Sequence, residues 1–231
     1  MKIEHRVLRY ESQSTEGTQP LAAVLKRRTR LAAVLCSALV LLLGGSVAAD
    51  DGGNHPTLAL GSAAPGFCLP GVDAKTHCLK DYAASKVLVV AFICNHCPTS
   101  QLYEMRIEQI AEDYKNKGVA VVAIEPNSPN AVLLNEMGYT DVGDSLEEMK
   151  IRAGYRHFTF PYLYDGDTQA VSTAYGPTAT PHVFIFDADR KLRYEGRVDN
   201  NTRQPLVTIR DARNALDALL SGKPVPLHRG P

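Results

Sequence analysis

The sequence lacks an excess of basic residues and has no internal repeat. Its 231 residues include 25 Lys and Arg and 25 Asp and Glu. Beyond the first 30 residues, acidic residues outnumber basic ones by about four. Nucleic-acid-binding proteins use basic surfaces to neutralise phosphates, so this composition excludes a nucleic-acid partner. The roughly 180 residues after position 49 are enough for one domain with a sizeable core.

The chain also lacks the cysteine arrangements of two common cofactor sites. Its five cysteines are Cys36, Cys68, Cys78, Cys94 and Cys97. Only the last two form a close pair, so a four-cysteine zinc site would have no second pair. Covalent haem attachment needs a His directly after the second cysteine, where this chain has Pro98. We therefore expect no cofactor and no resident metal.

Charged residues are absent from residues 31–49, after a segment with seven basic and three acidic residues. Residues 31–43 are apolar, and small residues follow in 44–49. This order is typical of a secretory signal peptide cleaved after Ala48 or Ala49. An uncleaved membrane anchor is the alternative, because a helix of this length spans about 28 Å, close to the thickness of a bilayer core. Either segment predicts export to a periplasmic or other extracytoplasmic compartment.

The most informative motif is Cys94-Asn95-His96-Cys97-Pro98, which follows an apolar run and precedes a helical pattern. Two thiols at this spacing, where a strand turns into a helix, can cycle between dithiol and disulfide. A helix N-terminus stabilises a thiolate through its macrodipole and unpaired N–H groups. We predict that Cys94 is the nucleophile, with its pKa lowered from about 8.5 into the range 3.5–7.5, and that Cys97 resolves the mixed disulfide. A purely structural disulfide is disfavoured, because so short a loop removes little chain entropy.

Two short strand-like segments, 66–69 and 76–79, flank a turn at 70–73 and predict an N-terminal β-hairpin. Cys68 and Cys78 would face each other across it. A structural disulfide, a second redox pair that relays electrons to the main pair, and two free buried thiols are the alternatives.

Strand and helix patterns alternate through the rest of the chain and predict an α/β fold, with a central mixed sheet flanked by helices. We expect a flexible lead-in over 50–65, the domain over 66–222 and a tail over 223–231. Asp144 is the predicted N-cap of one helix. The predicted strands are 86–93, 119–124, 161–165, 182–186 and 192–198, and the predicted helices are 99–117, 145–153, 167–175 and 206–220.

Three segments, 92–98, 119–124 and 179–187, resemble the thioredoxin superfamily. The resemblance is to the exported redoxins grouped with alkyl hydroperoxide reductase and thiol-specific antioxidant proteins, and it spans about residues 58–226. It implies a thioredoxin-like fold and a thiol–disulfide oxidoreductase. The implied partners are protein thiols or disulfides and a membrane-bound or soluble electron donor or acceptor. Membrane contact would come only through an uncleaved N-terminal segment.

The resemblance also implies roles for residues around the cysteine pair. Pro181 would be cis and lie against the pair, and Thr180 would offer backbone groups to a bound substrate. His96 occupies the position that stabilises the attacking thiolate in periplasmic disulfide oxidases. We add Asn95 and Pro98 to the predicted substrate-binding residues, because they lie within the motif.

The motif departs from two family patterns. Many thioredoxins place a buried acid six residues before the first cysteine, where this chain has Leu88. Glu104 and Glu125 are replacement candidates, or else ordinary surface or helix-pairing acids. Peroxiredoxins need a Thr three residues before the peroxidatic cysteine, and Ala91 stands there relative to Cys94. Disulfide exchange is therefore favoured over an antioxidant thiol peroxidase.

A copper-binding thioredoxin-like module is the remaining alternative. If His182 lay beside Cys94 and Cys97, the thiolates and imidazole could hold Cu(I). His157 is a weaker member of the same set.

Overall fold

Apolar and β-branched runs form the strands, and amphipathic segments form the helices. The computed structural model describes residues 55–140 and 142–225. Within these residues the strands are β1 (Cys68–Pro70), β2 (Thr76–Cys78), β3 (Val87–Phe92), β4 (Val119–Glu125), β5 (Tyr162–Tyr164), β6 (His182–Phe186) and β7 (Leu192–Gly196). The α-helices are α1 (Pro98–Tyr114), α2 (Leu146–Arg156), α3 (Ala170–Tyr175) and α4 (Asp211–Leu220).

The five strands that follow β1 and β2 form one mixed sheet in the order β5-β4-β3-β6-β7. β3 pairs in parallel with β4, and β4 with β5. β6 is antiparallel to both β3 and β7. All six residues of β3 are buried, as expected of a central strand covered on both faces. The predicted mixed sheet flanked by helices is confirmed.

Two apolar cores lie on opposite faces of this sheet, because alternate residues of a strand point to opposite sides. Val89 and Ala91 of β3 belong to the core that includes Ile107 of α1 and Leu216 of α4. Val90 and its neighbours at alternate positions belong to the other core, which contains an aromatic group with Phe92, Tyr175, Phe184 and Phe186. β3 is thus fixed from both sides, and it leads directly into the cysteine motif.

The N-terminal hairpin pairs β1 with β2, and Cys68 stands opposite Cys78. A disulfide joins these two cysteines. The predicted hairpin is therefore present, and the disulfide rules out two free thiols while it is compatible with a structural bridge and with a second redox pair.

The described part of the predicted lead-in is attached to the domain. Leu58 N–H donates to the Tyr175 carbonyl at 3.0 Å, and Gly61 N–H donates to the Leu192 carbonyl at 2.8 Å. Gly176 has a φ of 62°, and a Cβ there would meet the Pro56 carbonyl oxygen at 2.4 Å. The sequence predicts a flexible lead-in here, and the described part of it is hydrogen-bonded along α3 and β7.

Several helix boundaries differ from the sequence predictions. The N-cap of α2 is Ser145, whose side chain accepts the N–H of Glu148, so the assignment of that role to Asp144 is wrong. α3 begins at Ala170 instead of 167, after Gln169 in a left-handed conformation. α4 begins at Asp211 instead of 206, because a short 3₁₀ turn forms at Gln204–Leu206.

The predicted leader, residues 1–49, and the end of the predicted tail, 226–231, lie outside the described residues. Among the residues that are described, no helix combines the length and the apolar character needed to cross a bilayer.

Candidate active site

Cys97, rather than Cys94, lies at the start of α1. Cys97 is the N-cap of this helix, and Pro98 takes the first helical position, where its missing N–H costs no hydrogen bond. Cys97 is partly exposed, whereas only 1 % of Cys94 is exposed. Cys94 instead follows the end of β3, and its N–H donates to Ser100 Oγ at 3.1 Å. The helix N-terminus therefore acts on the second cysteine of the motif.

The acidities of the two thiols follow from these positions. A hydrogen bond from Cys94 lowers the pKa of Cys97 to about 5, and the backbone amides of Ser100 and Thr99 also lower it. The pKa of Cys94 is raised, first by its hydrogen bond to Cys97, then by burial and by the nearby Glu125 carboxylate. The prediction of a lowered pKa for Cys94 is wrong, because α1 begins only after Cys97.

Thr180 contacts both sulfur atoms. Its Oγ1 lies 3.0 Å from Cys94 Sγ, and its carbonyl oxygen lies 3.6 Å from Cys97 Sγ. The Thr180–Pro181 peptide bond is cis. The chain thus brings the residues before β6 to the cysteine motif, although 83 residues separate Thr180 from Cys97.

Asp144 supports the loop between the cysteines. Its Oδ1 accepts the N–H groups of Asn95 at 2.9 Å and His96 at 3.1 Å. Its Oδ2 contacts His96 Nδ1. Asn95 Nδ2 donates to the Gly143 carbonyl at 2.6 Å, and both Asn95 and Asp144 are buried. These bonds make Asn95 part of the loop's support instead of its substrate-facing surface.

Sequence reasoning missed Asp144 as a site residue. It stands 49 residues after Asn95, and its place directly before Ser145 and α2 is typical of a helix cap. Only the folded arrangement of the β4–α2 loop shows that its carboxylate turns toward the cysteine motif. Local sequence carried no signal for this contact.

Glu125 is a buried acid at the end of β4, so the surface alternative for this residue is wrong. Its Oε1 accepts the N–H of Asn127 at 3.0 Å, and its Oε2 lies 3.0 Å from the Tyr162 hydroxyl. That hydroxyl also lies 3.3 Å from Asn95 Oδ1. Burial raises the pKa of Glu125, and the Asp144 charge raises it further. The Tyr162 hydroxyl has a single proton, so it can donate to Glu125 Oε2 or to Asn95 Oδ1, and it links the acid to the cysteine loop.

Glu104, the other acid considered, serves a different purpose. It is buried on α1 and forms ion pairs with Arg152 at 2.8 Å and Arg156 at 2.9 Å, both on α2. Burial raises its pKa, against the opposing effect of the two arginines. Glu104 therefore joins two helices and is engaged away from the thiols.

One group among the described residues has ligand atoms close enough to share an ion. These are Cys94, His96 and Asp144, whose atoms lie within 4.8 Å of one another, although His96 and Asp144 already bond each other. His182 does not belong to this group. Its Nδ1 accepts the Thr178 N–H at 3.2 Å, and its Nε2 faces Glu195 at 3.0 Å. The Cu(I) site predicted with His182 is therefore wrong.

His157 also has a different role from the cysteines, because it ends a helix. It is exposed and ends α2 in a left-handed conformation, with a φ of 56°. It joins no cluster of potential ligands among the described residues.

Residues 59–216 match the family described as Redoxin. The chain belongs to the Redoxin family. The matched segment of this Redoxin protein includes Cys94, Cys97, Asp144 and Thr180. It also includes all five strands of the sheet, and this agrees with the resemblance carried by the three sequence segments.

The Redoxin protein is similar to curated and solved proteins over most of its length. It is 25 % identical over 173 residues to the thiol-disulfide oxidoreductase ResA of Geobacillus thermodenitrificans, covering 73 % of this chain and 88 % of that protein. A solved, uncharacterized conserved protein of Geobacillus kaustophilus is 39 % identical, with a TM-score of 0.66 and coverage of 75 % and 88 %. A hypothetical protein of Sinorhizobium meliloti is 35 % identical, with a TM-score of 0.66 and coverage of 76 % and 92 %.

Proposed function

We propose that this protein is a thiol–disulfide oxidoreductase in which Cys97 is the attacking thiolate and Cys94 the resolving thiol. The observation that carries the proposal is a partly exposed cysteine, Cys97, at a helix N-terminus, with a buried cysteine, Cys94, three residues earlier and Thr180 in contact with both sulfurs. Thiolates, not thiols, are the nucleophiles of disulfide exchange, and this position stabilises the thiolate. The name of the curated relatives supports the same activity.

The reaction proceeds in two exchanges. The Cys97 thiolate attacks one sulfur of a partner disulfide, so a Cys97–partner bond forms and the other partner sulfur leaves as a thiolate. Cys94, once deprotonated, attacks Cys97 Sγ. The Cys94–Cys97 disulfide then forms, and the second partner sulfur leaves. The partner gains two electrons and the protein loses two, and the reverse sequence oxidises a partner dithiol.

Glu125 is suited to exchange the proton of Cys94. Its carboxylate raises the pKa of the Cys94 thiol, and the Tyr162 hydroxyl joins it to Asn95, the residue that follows Cys94. As a carboxylate Glu125 accepts the proton when Cys94 attacks, and as an acid it returns a proton when the disulfide is reduced. The Tyr162 hydroxyl keeps the carboxyl group in place.

The surface around Cys97 is the proposed contact area for partner proteins. Pro98 is exposed, and Thr180 and His96 are partly exposed. Contact between His96 and Asp144 fixes the imidazole within 4.8 Å of the Cys94 sulfur. Thr180 and Pro98 keep their predicted roles in substrate contact, and Pro181, which is buried, keeps its predicted role against the cysteine pair.

Exchange fits this site better than peroxide reduction does. With Cys97 as the nucleophile, the residue three positions earlier is Cys94, where the peroxiredoxin pattern requires Thr. Cys94 in that place supplies a resolving thiol.

Export remains part of the proposal. The basic, apolar and small-residue segments of 1–49 support a signal peptide or an anchor. The Cys68–Cys78 disulfide supports an oxidising compartment. Cell fractionation with N-terminal sequencing would distinguish a cleaved periplasmic form from a membrane-anchored one, and recovery of the full chain in the cytosol would contradict export.

Turnover in an insulin-reduction assay tests the activity. We expect Cys97→Ser and Cys94→Ser each to abolish turnover of the domain that follows residue 49. The control is Ser221→Ala. Ser221 is exposed and directly follows α4, so its replacement should leave turnover unchanged. Full turnover in either cysteine variant would contradict the proposed dithiol mechanism.

A further inference from the structure

A buried histidine lies behind the loop that contacts the sulfur atoms. His182 is the first residue of β6, and 1 % of its side chain is exposed. Its Nδ1 accepts the backbone N–H of Thr178 at 3.2 Å. Its Nε2 lies 3.0 Å from Oε2 of Glu195, which β7 supplies. The imidazole therefore links the sheet to the segment just before Pro181.

These two contacts fix the tautomer of His182. A backbone N–H can only donate, so Nδ1 must carry a lone pair and the ring proton must be on Nε2. The Glu195 carboxylate accepts that proton. Burial lowers the pKa of His182, which favours the neutral ring that this arrangement needs. Glu195 thus determines whether Nδ1 can hold Thr178.

The held segment leads to both reactive sulfurs. Thr178 lies two residues before Thr180, whose Oγ1 is 3.0 Å from Cys94 Sγ and whose carbonyl is 3.6 Å from Cys97 Sγ. We propose that His182 is a positioning residue of the redox site, and that Glu195 fixes the tautomer with which it holds the Thr178–Thr180 segment against the two thiols. This inference rests on the proposed function.

A purely structural role makes a different prediction from a positioning role. Thr180 contacts both sulfurs of the reduced pair, so loss of its placement should weaken the reduced form more than the disulfide form. The equilibrium between the two forms should then shift toward the disulfide. A polar pair that only stabilises the fold would destabilise both redox forms equally and leave this equilibrium unchanged.

Glu195→Lys is the sharpest variant, because an ammonium group can only donate, so Nε2 must accept and the ring proton moves to Nδ1. Nδ1–H would then face the Thr178 N–H, and the bond would be lost. In equilibrium with dithiothreitol, we expect the ratio of disulfide to reduced protein to rise roughly fivefold. This is the effect expected from the loss of one hydrogen bond. Glu195→Asp, which keeps a carboxylate, should shift the equilibrium less.

The control is Glu112→Lys, which makes the same charge reversal at a partly exposed carboxylate paired with Lys115 and should leave the equilibrium unchanged. The ¹⁵N shifts of His182 report its tautomer directly. A proton on Nε2 in the unaltered protein and on Nδ1 in Glu195→Lys, with the expected shift, supports the proposal. A proton on Nδ1 in the unaltered protein, or an unshifted equilibrium in Glu195→Lys, overturns it. Neither result depends on Cys97→Ser and Cys94→Ser turnover, so failure of the proposed function would be seen separately.

Discussion

At the scale of residues, burial and helix position separate two thiols that look equivalent in the motif. Cys97 receives a hydrogen bond from Cys94 and faces the α1 N-terminus, whereas Cys94 is enclosed near Glu125 and Asp144. These different surroundings favour a reduced pair in which one cysteine is a thiolate and the other a thiol. The thiolate resides on the sulfur that partners can reach.

This asymmetry predicts the pH dependence of alkylation. The reactive species is the thiolate, so the iodoacetamide rate at Cys97 should rise with pH through a midpoint at about 5 and then level off. Peptide mapping after brief labelling of the reduced protein would follow each cysteine. Cys94 should stay unmodified across that range. A midpoint above about 8 at Cys97, the range of an ordinary thiol, would contradict the asymmetry.

Glu125→Gln should slow the resolving step. The Gln amide keeps the size and can still bond Tyr162, but it cannot take the Cys94 proton. General acid–base catalysis is typically worth 100-fold or more, so we expect resolution to slow by about 100-fold in stopped-flow measurements with a model disulfide. Glu147→Gln, at an exposed position on α2, is the matched control. An unchanged rate in Glu125→Gln would remove Glu125 from the mechanism.

The sequence allowed the reactive pair and the cis Thr180–Pro181 bond to be predicted, but not which thiol attacks. The prediction placed the helix N-terminus at the first cysteine of the motif. Pro98 was the available signal, because proline is favoured at the first position of a helix, and this places Cys97 at the cap. The buried state of Glu125 could not be predicted, since it depends on Tyr162 from another strand.

At the scale of elements, the β4–α2 connection holds the cysteine loop through a single carboxylate. Asp144 accepts two backbone N–H groups of that loop and bonds His96. Its neighbour Ser145 caps α2. Adjacent residues therefore serve the active site and the helix separately.

Asp144→Ala should destabilise the reduced protein by about 3 kcal/mol, because buried N–H groups would lose their acceptor. Ser145→Ala, which removes only a helix cap, should cost about 1 kcal/mol. Urea unfolding of both variants compares these costs. Turnover should fall in Asp144→Ala and persist in Ser145→Ala. Equal destabilisation with unchanged turnover in both would show that Asp144 does not organise the site.

Most strands and the starts of α1 and α2 could be predicted from the sequence, whereas the starts of α3 and α4 could not. The predicted start of α4 at 206 is five residues early, because Gln204–Leu206 form a separate 3₁₀ turn closed by local hydrogen bonds. The role of Asp144 follows from a contact between residues 49 positions apart. Such contacts depend on packing and leave no pattern in the local sequence.

At the scale of the whole molecule, two cysteine pairs occupy separate parts of the domain. Cys68 and Cys78 join the two strands of the N-terminal hairpin, and Cys94 and Cys97 lie between β3 and α1. The alternation of strands and helices was enough to predict the mixed sheet. The attachment of the 57–64 segment was not predictable, because its polar, Gly- and Pro-containing sequence is typical of a loose connection.

The hairpin disulfide is expected to stabilise the fold without taking part in turnover. Replacing Cys68 and Cys78 together by Ala should lower the free energy of unfolding by about 2–3 kcal/mol, through the greater freedom of the unfolded chain. Insulin reduction, measured well below the unfolding transition, should be unchanged. A large loss of turnover in the folded variant would instead favour the electron-relay alternative.

The central claim is that Cys97 attacks and Cys94 resolves, and trapping of the mixed disulfide tests it most directly. Each single Ser variant, in the reduced state, is mixed with a peptide disulfide and analysed by mass spectrometry. We predict that Cys94→Ser accumulates a stable Cys97–peptide adduct, while Cys97→Ser reacts slowly because its remaining thiol is buried. Rapid accumulation of a Cys94–peptide adduct in Cys97→Ser, with little adduct in Cys94→Ser, would contradict the account.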